Sequence, residues 1–148
     1  MSSEDSIQEQ VTYYIRFVEK ILKPKLLNAE SAANIVRAEI TNYEELVTRM
    51  KDTTDKNEPI ESLVDIGHKT IFCNAVVKEP SKIFVKVGMG FHVELSPEEA
   101  TEFSNKRVAF LRANKLSEKE SEIKDIKGHI QSASIILDQL HKEMERSG

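Results

Sequence analysis

Bulky aromatic mass is scarce in this chain, which has no tryptophan and only three tyrosines and six phenylalanines among 148 residues. With charged residues at 31%, that leaves too little apolar bulk for an ordinary compact core of this length, and it suits long, solvated helices. The single cysteine, Cys73, excludes an internal disulfide framework. No apolar run approaches the roughly 20 residues of a membrane span. Charge of one sign is not in large excess either: a net charge of −4 supplies no basic field, so duplex DNA or RNA is not expected as a direct partner.

Chemistry-bearing patterns are equally sparse. His68, His92, His129 and His141 fall on turn, strand and helix without metal-ligand spacing. Asp65 beside His68 reads as turn chemistry rather than an acid–base pair. Gly88 and Gly90 share a G-x-G with phosphate loops, but no third glycine or P-loop lysine follows. Cys73 reads as a small buried packing residue in a strand. No catalytic residue, metal or cofactor is expected, and the chain is not read as an enzyme. The acidic start, Met1 to Asp5, is the opposite of a secretory n-region, so an intracellular, reduced protein is expected.

What the chain does have is a strongly signalled β-hairpin running into a helix start. Ile83, Val85 and Val87 and then Phe91, Val93 and Leu95 alternate with period two around Gly88-Met89-Gly90, while Lys86, His92 and Glu94 point the other way. Ser96-Pro97-Glu98-Glu99 supplies an N-cap, a proline at the first helical position and a capping-box glutamate. Upstream, Leu63–Ile66 and Thr70–Val77 form a second candidate hairpin around Gly67-His68-Lys69. In its longer strand Ile71, Cys73, Ala75 and Val77 share one face, and both faces are partly apolar. Lys78-Glu79-Pro80-Ser81 links the two hairpins as a turn. Isolated hairpins with an apolar face are marginal in water, so these strands are expected to complete a larger sheet or barrel with other subunits.

Two helical patterns flank the hairpins. The first follows a heptad seam through Val11, Ile15, Val18, Leu22, Lys25, Ala29, Ala32, Val36, Glu39, Tyr43, Leu46 and Met50, and ends in a polar loop from Lys51 to Pro59. Pro24 predicts a kink or break. The second carries its seam at Leu116, Ile123, Ile126, Ile130, Ala133, Leu137, Leu140 and Met144, with Ala100, Phe103 and Phe110 on a shifted stripe. Gly128 weakens it by about 1 kcal/mol relative to alanine.

The order helix, two hairpins, helix, with Val87-Gly88-x-Gly90-Phe91-x-Val93-Glu94 ahead of the capped helix, resembles the α-type prefoldin subunits over nearly the whole chain. Leu63 to Gly67, Phe72, Val76-Val77, Pro80, Ile83-Phe84-Val85, Gly88 to Phe91, Glu94-Leu95, Glu99-Ala100 and Ile126 to Ile130 carry a closer match to one branch of that family. The segment Gly67 to Asn74 departs from the ordinary subunit in lacking a small-residue stretch after the glycine, and Pro24 is a second departure. The resemblance implies an α+β fold in a single domain over 1–148. Helix one would span about 7–51, the hairpins 60–95 and helix two about 97–145, the two helices forming an antiparallel coiled coil.

It also implies a hetero-hexamer of two α-type and four β-type prefoldin subunits joined as a β-barrel. The implied interface is Val64, Ile66, Ile71, Cys73, Val77, Ile83, Val85, Val87, Phe91, Val93 and Leu95. Val11, Tyr14, Ile15 and Val18, with Ile136, Leu137, Leu140 and Met144, would form a distal tip that holds unfolded or unassembled client proteins without nucleotide. For that branch the resemblance further implies a complex containing an unconventional prefoldin interactor. Two alternatives stand beside this co-chaperone reading: a nuclear transcription-cofactor adaptor that binds folded regulators, and a subunit of the classical prefoldin. Cytoplasm and nucleus are the implied locations.

Overall fold

In the computed structural model residues 3–56, 58–78 and 81–147 are described, with side chains for 6–52, 58–78 and 81–146. Helix α1 (Ser3–Phe17) passes through a π-helical turn (Val18–Leu22) into α2 (Lys23–Lys56). Four strands follow, β1 (Ile60–Gly67), β2 (Ile71–Val77), β3 (Ile83–Gly88) and β4 (Phe91–Leu95). Helix α3 (Pro97–Phe110), a second π turn (Leu111–Leu116) and α4 (Ser117–Ser147) complete the chain. The helix–hairpins–helix order expected from the sequence is present. Helix α2 runs on to Lys56, where a polar loop was expected from Lys51. The segment 51–56 holds no glycine or proline to stop the helix. The turn at Lys78–Ser81 includes Glu79 and Pro80, which lie outside the described residues.

The expected break at Pro24 takes the form of the first π turn. Proline has no N–H, and its ring collides with the carbonyl four residues back, so an α-helix cannot continue through it unstrained. Here the Lys23 N–H bonds to the Val18 carbonyl, five residues back, and the helix widens by one residue instead of breaking. That extra residue resets the register. Val11, Tyr14 and Val18 point inward, and an unbroken heptad would next place Ile21; instead Leu22 is buried and Ile21 is exposed. Ile15, assigned to the seam from sequence, is exposed for the same reason.

Beyond the π turn the seam reads Leu22, Leu26, Ala29, Ala33, Val36, Ile40, Tyr43, Val47 and Met50, each buried or half-buried. Lys25, Ala32, Glu39 and Leu46 therefore give up the seam positions assigned to them to the residues one place on. This correction removes both polar members, which is why the packing selects it. The second π turn does the same on the other helix. Ala100, Ser104 and Leu111 are buried, then Ile126 and Ala133, so Leu111 to Ile126 spans two heptads plus one residue. Phe110, expected on the stripe, lies outside it under the Arg107 guanidinium, 5.7 Å from the ring centroid.

The Cα framework separates into two units, 1–38 with 112–148, and 39–111. In the first, Val18, Leu22 and Ala133 form a core with Tyr14, Phe17 and Ile130 packed against it. Arg37 bonds Glu120 at 2.9 Å and Glu30 bonds Lys127 at 3.0 Å, partners that fall in sequence on one side as they rise on the other: the pairing is antiparallel. In the second unit, Met50, Val85 and Ala100 form the core, with Leu46, Val47, Ile83, Leu95 and Phe103 around them. Helix α3 starts where the sequence placed it: Ser96 Oγ accepts from the Glu99 N–H at 3.2 Å and the Glu99 carboxylate accepts from the Ser96 N–H at 2.9 Å.

Two substitutions test this packing. Ser96→Ala removes one half of the capping box and is expected to lower stability by about 1 kcal/mol in a urea titration. Ser104 is fully buried and its hydroxyl has no hydrogen-bond partner among the described residues. Ser104→Ala is expected to raise stability in the same titration by about 1 kcal/mol, since an unsatisfied polar atom leaves the core.

Candidate functional site

The first hairpin pairs Ile60 with Val77, Val64 with Cys73 and Asp65 with Phe72. Directly paired residues share a face, so Ile60, Val64, Ile71, Cys73, Ala75 and Val77 make one side and Leu63, Phe72 and Val76 the apolar part of the other. The strands meet in a tight turn: His68 and Lys69 both have positive φ, at 47° and 62°, and the Thr70 N–H bonds the Gly67 carbonyl at 2.8 Å. Asp65 holds that turn, its carboxylate accepting from the Gly67 and Lys69 N–H groups at 2.9 Å each. The role of Asp65 beside His68 is thus turn chemistry, as the sequence suggested, with its bonds going to Gly67 and Lys69.

Among the described residues almost nothing covers this hairpin. Every residue of β1 but Gly67, and every residue of β2 but Ala75, is exposed. Cys73, expected to be buried, is exposed with them. Because both faces carry apolar side chains, either way of laying the hairpin down on the helices would leave one face bare.

The second hairpin is different. Ile83 pairs with Leu95 and Val85 with Val93, with Phe84 opposite Glu94 and Lys86 opposite His92 on the reverse face. Val85 is only 5% exposed, against Met50 and Ala100, and Ile83 and Leu95 pack on the same cluster. These three residues, assigned from sequence to a subunit interface, already have neighbours inside their own chain. The assigned interface residues that remain exposed are Val64, Ile66, Ile71, Cys73, Val77, Val87, Phe91 and Val93. Exposed apolar residues missed from sequence are Phe84, on the face read as polar, and Met89 at the hairpin tip. Met89 is 95% exposed and sits at φ 46° between Gly88 at 129° and Gly90 at 81°, a run in which the glycines supply conformations other residues resist. The signal for Met89 was its place between those glycines.

A groove of about 940 Å³ runs beside β3, lined by Tyr43, Leu46 and Met50 of α2, by Ile60 and Val77, and by Ile83 to Lys86. Among the described residues each sheet has two strands, so β3 pairs with β4 alone and its other edge keeps unpaired N–H and C=O groups. Lys82, at the groove, donates to Glu94 at 2.7 Å, and this hydrogen bond with its charge attraction holds the ammonium protonated above its ordinary range. The site is therefore apolar with a charged rim. Among the described residues no group of three or more His, Cys, Asp or Glu could hold a metal ion, and no helix is long and apolar enough to cross a membrane.

The other candidate surface, where α1 pairs with α4, keeps most of the residues assigned to it on the seam. Val18 is buried, and Val11, Tyr14, Ile136, Leu137, Leu140 and Met144 are half-buried, while Ile15 points out.

Comparison with known proteins gives a family. A family model described as prefoldin subunit matches residues 22–143. The chain is 33% identical over 123 residues to the protein UXT homolog of Nematostella vectensis, covering 80% of this chain and 77% of that one. It is 27% identical over 121 residues to protein UXT of Homo sapiens, covering 78% and 75% respectively. These UXT proteins are the branch to which the hairpin residues carry their closer match. A solved structure of filamentous PFD from Methanocaldococcus jannaschii shares 19% identity over 74% of this chain and 95% of that chain, at a TM-score of 0.43.

The division of labour between the hairpins is measurable. Met50→Ala, in the buried cluster, is expected to cost about 2–5 kcal/mol in chemical denaturation of the isolated chain. Leu63→Ala, on the bare hairpin, is expected to change stability by no more than about 0.5 kcal/mol. Equal losses would mean that the first hairpin is packed in the isolated chain.

Proposed function

Because the chain belongs to the prefoldin subunit family, as a relative of the UXT proteins, we propose that it is a non-catalytic co-chaperone subunit of a prefoldin-like hetero-hexamer. In this reading it assembles through its hairpins with a second α-type and four β-type subunits. The observation that carries the reading is the bare first hairpin. A two-stranded sheet with apolar side chains on both faces is marginal alone, and its open edges and uncovered faces are satisfied together when strands of neighbouring subunits extend the sheet. The free edge of β3 beside an apolar groove offers the same kind of join.

Client holding falls to the end of the helix pair where α1 begins and α4 ends. There Val11, Tyr14, Leu137, Leu140 and Met144 are half-buried rather than sealed, with Ile15 outside. Such residues give a non-native chain apolar surface to rest on when the helices splay, and methionine adapts to varied partners. No nucleotide is needed.

Co-expression with a second α-type and β-type prefoldin subunits, followed by native mass measurement, tests the assembly. A hexamer containing one copy of this chain is expected. Leu63→Asp with Phe72→Asp is expected to abolish incorporation while leaving the helical circular dichroism signal in place. Recovery of this chain only with folded transcription regulators, and with no prefoldin-type subunit, would replace the co-chaperone reading by that of an adaptor.

A further inference from the structure

Tyr13, Phe17 and Ile21 rise along α1 and the first π turn at steps of four, each one residue ahead of the seam residues Tyr14, Val18 and Leu22. Phe17 is half-buried, but Tyr13 is 65% and Ile21 53% exposed. The Tyr13 ring lies parallel to Phe17, centroids 6.4 Å apart and planes within 9°, and meets Tyr14 edge-on at 5.7 Å. The apolar stripe of this helix is thus wider than its pairing with α4 requires, and the π turn adds Ile21 to it by handing the seam position to Leu22. A row at i, i+4, i+8 is the ridge into which a further helix packs.

Charge decides which helix fits. Arg16 and Lys20 lie beside the ridge, one on either side of Phe17 in sequence, and neither enters an ion pair or hydrogen bond among the described residues. The neighbouring Glu19 is neutralised by Lys23. The ridge therefore presents aromatic and aliphatic surface with two unpaired cations at its margin, in a chain whose net charge is −4. We propose that it docks an acidic amphipathic helix of a partner protein, apolar side chains on Tyr13, Phe17 and Ile21 and carboxylates on Arg16 and Lys20. Capture of non-native chains needs apolar surface alone; the cations add selection by sign. This surface is independent of the hairpin assembly.

Fluorescence anisotropy with the purified full chain tests it, using a labelled amphipathic peptide of about 18 residues with leucines on one face and glutamates beside them. A second peptide carries lysine in place of every glutamate. The acidic peptide is expected to bind about tenfold more tightly than the basic one, with the preference fading as salt rises. Arg16→Glu with Lys20→Glu is expected to reverse that preference, and Tyr13→Ser with Ile21→Ser to remove binding of both peptides. All four side chains lie off the seam, so the circular dichroism spectrum should not change. Equal affinity for the two peptides, a preference that survives charge reversal, or no binding of either overturns the proposal. So does self-association that Tyr13→Ser abolishes, which would assign the ridge to a second copy of this chain.

Discussion

The contact of Val85 with Met50 and Ala100 is the one on which the β region depends, because it is where a strand face is spent on helix surface within the chain. It anchors the second hairpin through Ile83, Val85 and Leu95, and those three side chains are then unavailable to a neighbour. The two helices contribute small residues there and along their seam, with Ala29, Ala33, Ala100 and Ala133 all nearly covered. Small seam residues let helices approach closely but bury little area each. Among the described residues the first hairpin gets no such cover, and both of its faces stay exposed. Its exposure follows from the same shortage of bulk that the composition announces.

The π turns solve a separate problem. A heptad seam drifts relative to an unstrained helix, and a proline must be accommodated on the way. One extra residue in each helix offsets the drift and, in the first helix, accommodates Pro24 as well, and there it moves a side chain from inside to outside: Ile21 leaves the seam to Leu22. That reset adds Ile21 to the exposed ridge begun by Tyr13 on α1. Single π turns inside α-helices recur at functional positions, and here the turn leaves the displaced Ile21 exposed.

The element order, both hairpin turns and the capped start of α3 were legible in the sequence because each rests on local chemistry: Gly88 and Gly90, Asp65 with Gly67, Ser96 with Glu99. The seam was half legible. Leu22, Ala29, Val36, Tyr43 and Met50 were placed correctly, while Lys25, Ala32, Glu39 and Leu46 were each one residue early. A strict alternation of three and four, started before a proline, carries the wrong phase through an inserted residue, and nothing local in Val18–Leu22 announces the insertion. Alternation identifies which residues share a face but not whether the helices or a neighbour cover it, so Val85 and Val64 looked alike. Phe84 escaped because Lys86, His92 and Glu94 made its face read as polar.

Amide hydrogen exchange over β1 and β2 is the decisive measurement, comparing the isolated chain with the chain assembled with prefoldin-type partner subunits. An uncovered hairpin with open edges opens readily, so its amides should exchange fast in the isolated chain, while those of β3, held by Val85, are slower. On assembly the β1 and β2 amides should become strongly protected. Protection of β1 and β2 that is already high in the isolated chain and unchanged on assembly would show that the first hairpin is not the element neighbouring subunits complete.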